Sequence, residues 1–401
     1  MKRCIYVVDD QPAVLETAVL ILRALNPQWD VSGFTDPLAA LAAVKDRAPD
    51  LILSDQLMPG LLGSQLLEEV RSIAPASIRI IMSGYVSLNK LSLITSAHQY
   101  IAKPFEVAKL REMVQRSFAA QEQIHNKGLQ TVATSLRSIP SLPQVHHSLL
   151  AEINDERSAS GVIARLVSED AGLSVKVLQL ANSPLFGRGC LITNPTDAVM
   201  CLGTEMLAAI VLSQSLFKHY DFLRHAEMDL PRIWHHCWET ASLAHHLCRQ
   251  KRLPHHAGEQ AFLAGLLHEA GRFILIDNFA GQFQAACQAA RQAKAPLTPH
   301  LREIFHTTPA QITAYVMELW GMPGSVIAAI ALQDDPQQEP GGAFSLASAL
   351  YVADNIASRK SPPDGFPVEA WNAEYLRAIG CLDDIPAWEN PAFASGSSGG
   401  D

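Results

Sequence analysis

At 401 residues the chain is too long for one ordinary core and is sized for two or three domains. Hydrophobic residues make up 48% and charged residues 18%, a globular composition that excludes a disordered chain. The formal net charge of −9, with no long Lys/Arg run, excludes a strong electrostatic footprint for nucleic acid or an anionic membrane. No stretch approaches the ~20 uninterrupted apolar residues of a membrane span. The opening MKRCIYVVDD lacks the apolar region and cleavage site of a signal peptide. The seven cysteines (Cys4, Cys190, Cys201, Cys237, Cys248, Cys287, Cys381) are scattered without a CxxC pair, and read as reduced, mostly buried thiols of a cytoplasmic protein.

In chain order, CIYVVDD (4–10) is an apolar β-branched run closed by acids, which predicts a strand buried on both faces. Pro12 opens a helix with Val14, Ala18, Leu22 and Leu25 near one stripe. Val31–Phe34 reads as strand, Pro37 to about Ala48 as helix, and Leu51–Asp55 as strand. Leu62–Ile73 reads as helix, Ile78–Met82 and Tyr100–Ala102 as strands, and Glu106 onward as helix. Strand and helix alternating over ~120 residues predict a doubly wound parallel α/β sheet of five strands.

Functional groups in such sheets collect at the carboxyl ends of the strands. Asp9 and Asp10 close the first strand, Asp55 the third and Ser83 the fourth, and Lys103 follows the fifth. Three carboxylates at one edge repel one another unless a hard cation such as Mg²⁺ sits among them. One carboxylate can then act as a nucleophile toward a phosphoryl group, with the metal and Lys103 stabilising the transferring oxygens.

These residues, with LILSDQLMPG around Asp55, IIMSGY around Ser83 and Lys103–Pro104–Phe105, resemble the receiver domain of two-component response regulators over about residues 3–120. The resemblance implies that Asp55 is the phosphoacceptor and that Asp9, Asp10, Asp55 and the Leu57 carbonyl hold Mg²⁺. It also implies that Ser83 (in place of the commoner Thr) and Lys103 contact the phosphoryl group, that Tyr100 reorients on activation, and that the bond before Pro104 is cis.

The helix from Glu106 carries Val107, Leu110, Val114 and Phe118 on one stripe, with continuation to Ile124 and an interruption at Gly128. Gln121 at a seam position argues against a long coiled coil. Ile139–Pro140–Ser141–Leu142–Pro143 breaks any helix, so a domain boundary is expected between Gly128 and Ser141. From there the pattern is helical: Leu149–Ile153, Ile163–Val167, Val175–Ala181, Leu207–Phe217, Ala241–Cys248, Ala261–Leu267, Ile312–Leu319, Ile327–Leu332 and Leu346–Ala357. The expectation is an all-α domain of about ten or more helices. The divisions expected are 1–122 receiver, 123–140 helical linker, 141–360 all-α output domain, and 361–401 a C-terminal extension. Its end, SGSSGGD, is a flexible tail.

The strings IPSLPQV, LQLANSPLFG, AVMCLGTEML, IWHHCWETASLA, AGLLHEAGRFIL, ELWGMPGSVIAAI and ALYVADNIA, in that order, resemble the HDOD output domain, a relative of the HD phosphohydrolases. The HD metal pattern falls on His236, His268–Glu269 and Asp354. Glu269 replaces the family's Asp, Gly271–Arg272 stands where active relatives have Gly-Lys, and Gln333–Asp334 stands where many HDOD proteins have a His pair. The HD-GYP signature of cyclic-di-GMP phosphodiesterases is missing. The set reads either as a residual mononuclear metal site or as a hydrogen-bonded polar group in a helical core, and the departures favour the second, with no transition metal expected. The histidine pairs 146–147, 235–236, 245–246 and 255–256 point about 100° apart on a helix and chelate poorly as bare pairs. Asn182, Ser183, Pro184 and Phe186–Gly187 read as a helix end, and Trp234, Trp238 and Trp320 as packing residues.

The function expected is a response regulator phosphorylated on Asp55 by a histidine kinase or phosphotransfer protein, with a non-catalytic HDOD output that binds an unknown protein partner. A homodimer is left open. The enzyme alternative is a receiver-regulated metal-dependent phosphohydrolase acting on a nucleotide or cyclic dinucleotide. A nucleic-acid-binding regulator is disfavoured by charge and by the lack of a DNA-binding motif.

Overall fold

The computed structural model describes residues 2–84, 96–136, 149, 152, 160–182, 192–203, 207, 230–339, 342–363 and 365–389. Five strands, β1 (Cys4–Val8), β2 (Asp30–Phe34), β3 (Leu51–Asp55), β4 (Ile78–Ser83) and β5 (Gln99–Ala102), form one parallel sheet in the order β2-β1-β3-β4-β5. β1 and β3 are buried along their whole length, as continuous apolar runs require when helices cover both faces. Helices α1 (Pro12–Leu25), α2 (Pro37–Asp46) and α3 (Gly63–Ile73) complete this half. The stripe of α1 differs by a small rotation from the expected one: Leu15, Ala18, Ile21 and Leu22 are buried, and Val14 and Leu25 only half-buried. The buried set is i, i+3, i+6, i+7, a face about 120° wide at 100° per residue.

Helix α4 (Val107–Gln123) buries Leu110, Val114 and Phe118. Gly128 does not interrupt it. The helix ends at Gln123, and a separate α5 (Lys127–Ser135) begins at Asn126, whose side chain accepts from Leu129 N, with Gly128 inside its first turn. Gln121 turns inward and accepts from Arg3 Nη1 at 2.9 Å.

The second half is helical. It comprises α6 (Ser160–Ser168), α7 (Ala171–Ala181), α8 (Pro195–Leu202), α9 (Leu230–Gln250), α10 (His255–Leu267), α11 (Ala270–Asn278) and α12 (Ala280–Ala293). It continues through α13 (Leu297–Phe305), α14 (Pro309–Leu319), α15 (Gly324–Ala331), α16 (Leu346–Lys360), α17 (Ala373–Ala378) and α18 (Ile385–Trp388). Of the apolar segment 207–217 only Leu207 is described, and Ser183, Pro184, Phe186–Gly187, His146–His147 and the SGSSGGD end lie outside the described residues. Asn182 caps more than its own helix: its Nδ2 donates to Ile192 O and its Oδ1 accepts from Ile192 N, both at 2.7 Å. The extension beyond residue 360 is packed onto the helices, with Tyr375, Leu376, Cys381, Ile385 and Trp388 buried beside Leu247 and Val352. Trp234 stacks on Phe273 at 4.8 Å and Trp238 meets Phe262 edge-on, as packing residues do.

One apolar core runs unbroken from Ile101, Leu110, Val114 and Phe118 through Leu129 and Ala133 to Tyr315, Val316 and Leu319. The sheet half and the helical half therefore share one apolar core. Among the described residues no helix is long and apolar enough to cross a membrane.

Candidate functional site

The first candidate site lies at the carboxyl edge of the sheet. Asp9 is fully buried, Asp55 is 5% exposed, and Asp10 is half-buried. Lys103 Nζ lies 2.6 Å from both Asp9 Oδ2 and Asp55 Oδ1, bridging the ends of β1 and β3. The Lys103–Pro104 bond is cis. Lys103 N donates to Ser83 O at 2.9 Å, which sets the end of β4 beside it. Asp55 itself is held from behind: Ser54 Oγ donates to its carbonyl, and a Cβ on Gly63 would lie 2.0 Å from that carbonyl oxygen. Gln56, absent from the sequence-based site, ties the strand end to α3 by accepting from Ser64 N at 3.1 Å. Burial pushes the Asp55 carboxyl up, Lys103 pulls it back, and the Asp9 charge raises it again, with a net rise above the ordinary value.

Asp9, Asp10 and Asp55 each offer an oxygen within 4.8 Å of the others. Asp10 Oδ1 is buried without a hydrogen-bond partner, an anionic oxygen in want of a cation. This donor set fits a hard divalent ion such as Mg²⁺. Leu57 sits two residues beyond Asp55 with its side chain 51% exposed. Tyr100 packs half-buried against the cluster on the opposite face of the sheet.

The second candidate site is in the helical half. α9 supplies His236, the end of α10 supplies His268, and α16 supplies Asp354. Their ligand atoms lie within 4.8 Å of one another. His236 Nε2 is 3.0 Å and His268 Nε2 3.6 Å from Asp354 Oδ1, and the two imidazole nitrogens are 3.2 Å apart. Burial works against charge on Asp354, but hydrogen bonds from His236 and His268 outweigh it and hold the carboxyl far below its usual range. Burial also opposes charge on His268, and Asp354 overrides it and raises the imidazole. Glu269 is shared: Arg272 Nε lies 2.7 Å from its Oε2, and its Oε1 lies 3.9 Å from His268 Nε2. The sequence flagged Arg272 as a departure, but the pairing follows from the i, i+3 spacing only once a helix starts at Ala270. Two imidazoles and a carboxylate fit a transition ion by donor type. The fit is incomplete, because Arg272 holds one oxygen of the fourth group and His236 Nδ1 is buried with no acceptor to orient the ring. Asp354 opens onto a cleft of about 400 Å³ lined also by Arg272, Gln333, Asp334 and Phe366.

The sheet half and the helical half meet in a set of buried polar contacts. His98, 2% exposed, accepts from Arg79 N at its Nδ1 (2.9 Å), which leaves Nε2–H to donate to Thr134 O at 2.6 Å. Burial and the neighbouring Arg79 keep that imidazole neutral, well below its ordinary value. Arg79 Nη2 donates to the same Thr134 carbonyl at 2.9 Å. Gln99 Nε2 donates to Glu318 O and Arg116 Nη2 pairs with Glu318 Oε2, each at 2.8 Å.

A family model for the response regulator receiver domain matches residues 5–115, and one for the HDOD domain matches residues 139–336. The DNA-binding response regulator MtrA of Mycolicibacterium smegmatis is 30% identical over 122 residues, covering 29% of this chain and 53% of that protein. An uncharacterized protein of Treponema pallidum is 24% identical over 278 residues, covering 66% and 51%. The chain thus spans about half the length of these curated relatives. Among solved structures, the MmoQ response regulator of Methylococcus capsulatus is 23% identical with a TM-score of 0.49, covering 63% of this chain and 98% of that one. The parallel five-stranded sheet with its acidic edge, the helical half that follows and the two matched families agree: the chain joins an N-terminal response regulator receiver domain to a C-terminal HDOD domain.

Proposed function

We propose that Asp55 is the phosphoacceptor of this response regulator, and that its phosphorylation changes what the HDOD domain binds. The observation that carries the reading is the Lys103 ammonium 2.6 Å from both Asp55 and Asp9, beside the unpartnered buried oxygen of Asp10. A receiver implies a histidine kinase or phosphotransfer protein as donor. The Asp55 carboxylate attacks phosphorus, the bond to the donor breaks, and an acyl phosphate forms. Asp9, Asp10, Asp55 and the Leu57 carbonyl would hold Mg²⁺, which would supply charge neutralisation when bound. Lys103 stabilises the transferring oxygens by the same electrostatic principle, and the Ser83 hydroxyl lies on the adjacent strand end. Incubation with acetyl phosphate and Mg²⁺ is expected to add one phosphoryl mass to the intact protein. Asp55→Ala should gain none, and EDTA should suppress the gain. An undiminished gain in Asp55→Ala rules the assignment out.

For the output, the pairing of Glu269 with Arg272 and the buried His236 Nδ1 that no acceptor orients support a binding module over a hydrolase. A metal-dependent phosphohydrolase is the second reading, favoured by the convergence of His236, His268 and Asp354 at a cleft. Transition metal that survives desalting, persists in Asp55→Ala and disappears in His268→Ala would select the hydrolase. No retained metal selects the binding module.

A further inference from the structure

The helix that meets the receiver is also the helix that braces the His236/His268/Asp354 cluster. At its C-terminal end, α14 presents Glu318, whose carbonyl accepts from Gln99 on β5 and whose carboxylate pairs with Arg116 on α4. One turn earlier, Tyr315 Oη and Thr134 Oγ1 of α5 are 3.1 Å apart. In the middle of α14, Thr313 Oγ1 accepts from Gly271 N at 2.7 Å, and its hydroxyl lies 2.9 Å from the Pro309 carbonyl oxygen and 3.3 Å from that of His268. A Cβ on Gly271 would lie 2.0 Å from the Pro309 carbonyl oxygen, so α11 and the first turn of α14 are in backbone contact. Thr308 caps α14 in a reciprocal capping box with Gln311, and nearly every residue of the helix is buried. An 11-residue helix so capped and enclosed is a rod of about 16 Å.

The receiver end of this rod is set by β5. That strand is four residues long, with Gln99 at its start and Lys103, the side chain that holds Asp55, directly after its end. Gln99 is 7% exposed and spends its amide on the Glu318 carbonyl and on Ser117. A shift of β5 cannot leave Glu318 behind without orphaning buried polar groups on both sides.

We propose that α14 is a two-ended lever that ties the phosphorylation state of Asp55, through Lys103, β5 and Glu318, to the backbone at His268–Gly271. The inference deepens the phosphoacceptor reading of Asp55 and rests on it for its input. Thr313 is a positioning residue in it: it touches the backbone on both sides of Glu269 and none of the cluster's ligand atoms.

The test is amide hydrogen exchange in the full-length protein, with and without beryllofluoride and Mg²⁺ as the phosphoryl mimic. The mimic is expected to change exchange around Asp55 and, about ten-fold, at the Gly271 amide, within the usual span of intramolecular coupling. In Gln99→Leu/Glu318→Gln the Asp55 segment should still respond while Gly271 no longer does. Thr313→Val should likewise lose the Gly271 response. A response around Asp55 with none at Gly271 in the unmutated protein overturns the lever and leaves the phosphoacceptor reading standing. So does a Gly271 response that survives the double substitution. If beryllofluoride alters neither segment, the phosphoacceptor reading has failed, and the lever is judged without the mimic. Gln99→Leu/Glu318→Gln alone must then alter Gly271 exchange, and an unchanged rate overturns it.

Discussion

Arg79 carries a full charge at 2% exposure, and its guanidinium donates to the carbonyls of Ser77, Ser96 and Thr134. Burial lowers the group to about 10, still charged at neutral pH. Arg79→Met keeps the apolar stem but removes the hydrogen bonds to the Ser77 and Ser96 carbonyls and leaves Thr134 O to His98 alone. At about 1 kcal/mol or more for each of the two carbonyls left without Arg79, a loss of roughly 2 kcal/mol is expected in urea denaturation. The His268–Asp354 pair makes a separate prediction. His268 is raised above its ordinary 6.5 by Asp354. A raised imidazole stabilises the fold fully below its unfolded pKa, and that contribution is lost as pH rises through the folded one. In EDTA, thermal stability should therefore fall as pH rises above about 6.5. Asp354→Asn should flatten that slope. An unchanged slope would mean that the pair is not coupled in solution.

At the scale of elements, glycine decides two helix contacts. Gly63 lets α3 start against the Asp55 carbonyl, and Gly271 lets α11 start against that of Pro309. In each case a methyl group would lie 2.0 Å from a backbone oxygen, which no rotamer relieves. Gly271→Ala is expected to cost about 3 kcal/mol, the upper part of the overpacking range, because the obstacle is main chain. The check is the denaturation midpoint, with the far-UV spectrum confirming retained helix. A change below about 0.5 kcal/mol would show that α11 and α14 part easily, against the lever as well.

For the whole molecule, the continuous core makes the expected cut at residue 122 a costly one. α5 brings Leu129 and Ala133 to 1% exposure and gives the Thr134 carbonyl to Arg79 and His98. A receiver of residues 1–136 should be more stable than one of 1–122 by about 1–3 kcal/mol, from the Arg79 and His98 donors that Thr134 satisfies and the part of the apolar burial that the receiver itself supplies. Equal stabilities would mean that α5 belongs energetically to the linker. The same reasoning extends the helical half beyond residue 360, since Trp388 is 2% exposed and its Nε1 donates to Gln250.

Every sheet strand and the convergence of Asp9, Asp10, Asp55 and Lys103 could be read from the chain alone. A parallel strand buried on both faces must be a short apolar run, and its carboxyl end must be where the chain turns polar. The histidine–aspartate cluster was legible only as spaced motifs, and its Glu269–Arg272 pairing depended on where α11 begins. Gly128 misled because a glycine breaks a helix or opens one according to the cap before it, here Asn126. The junction left no trace in the sequence. Gln99, Arg116, Glu318 and Thr134 lie up to 219 residues apart and look like ordinary polar positions on their own elements. Periodicity and strand ends are local, so the sequence determined them. Which buried donor meets which distant carbonyl is fixed by how two cores close on each other, and only the tertiary structure decided that.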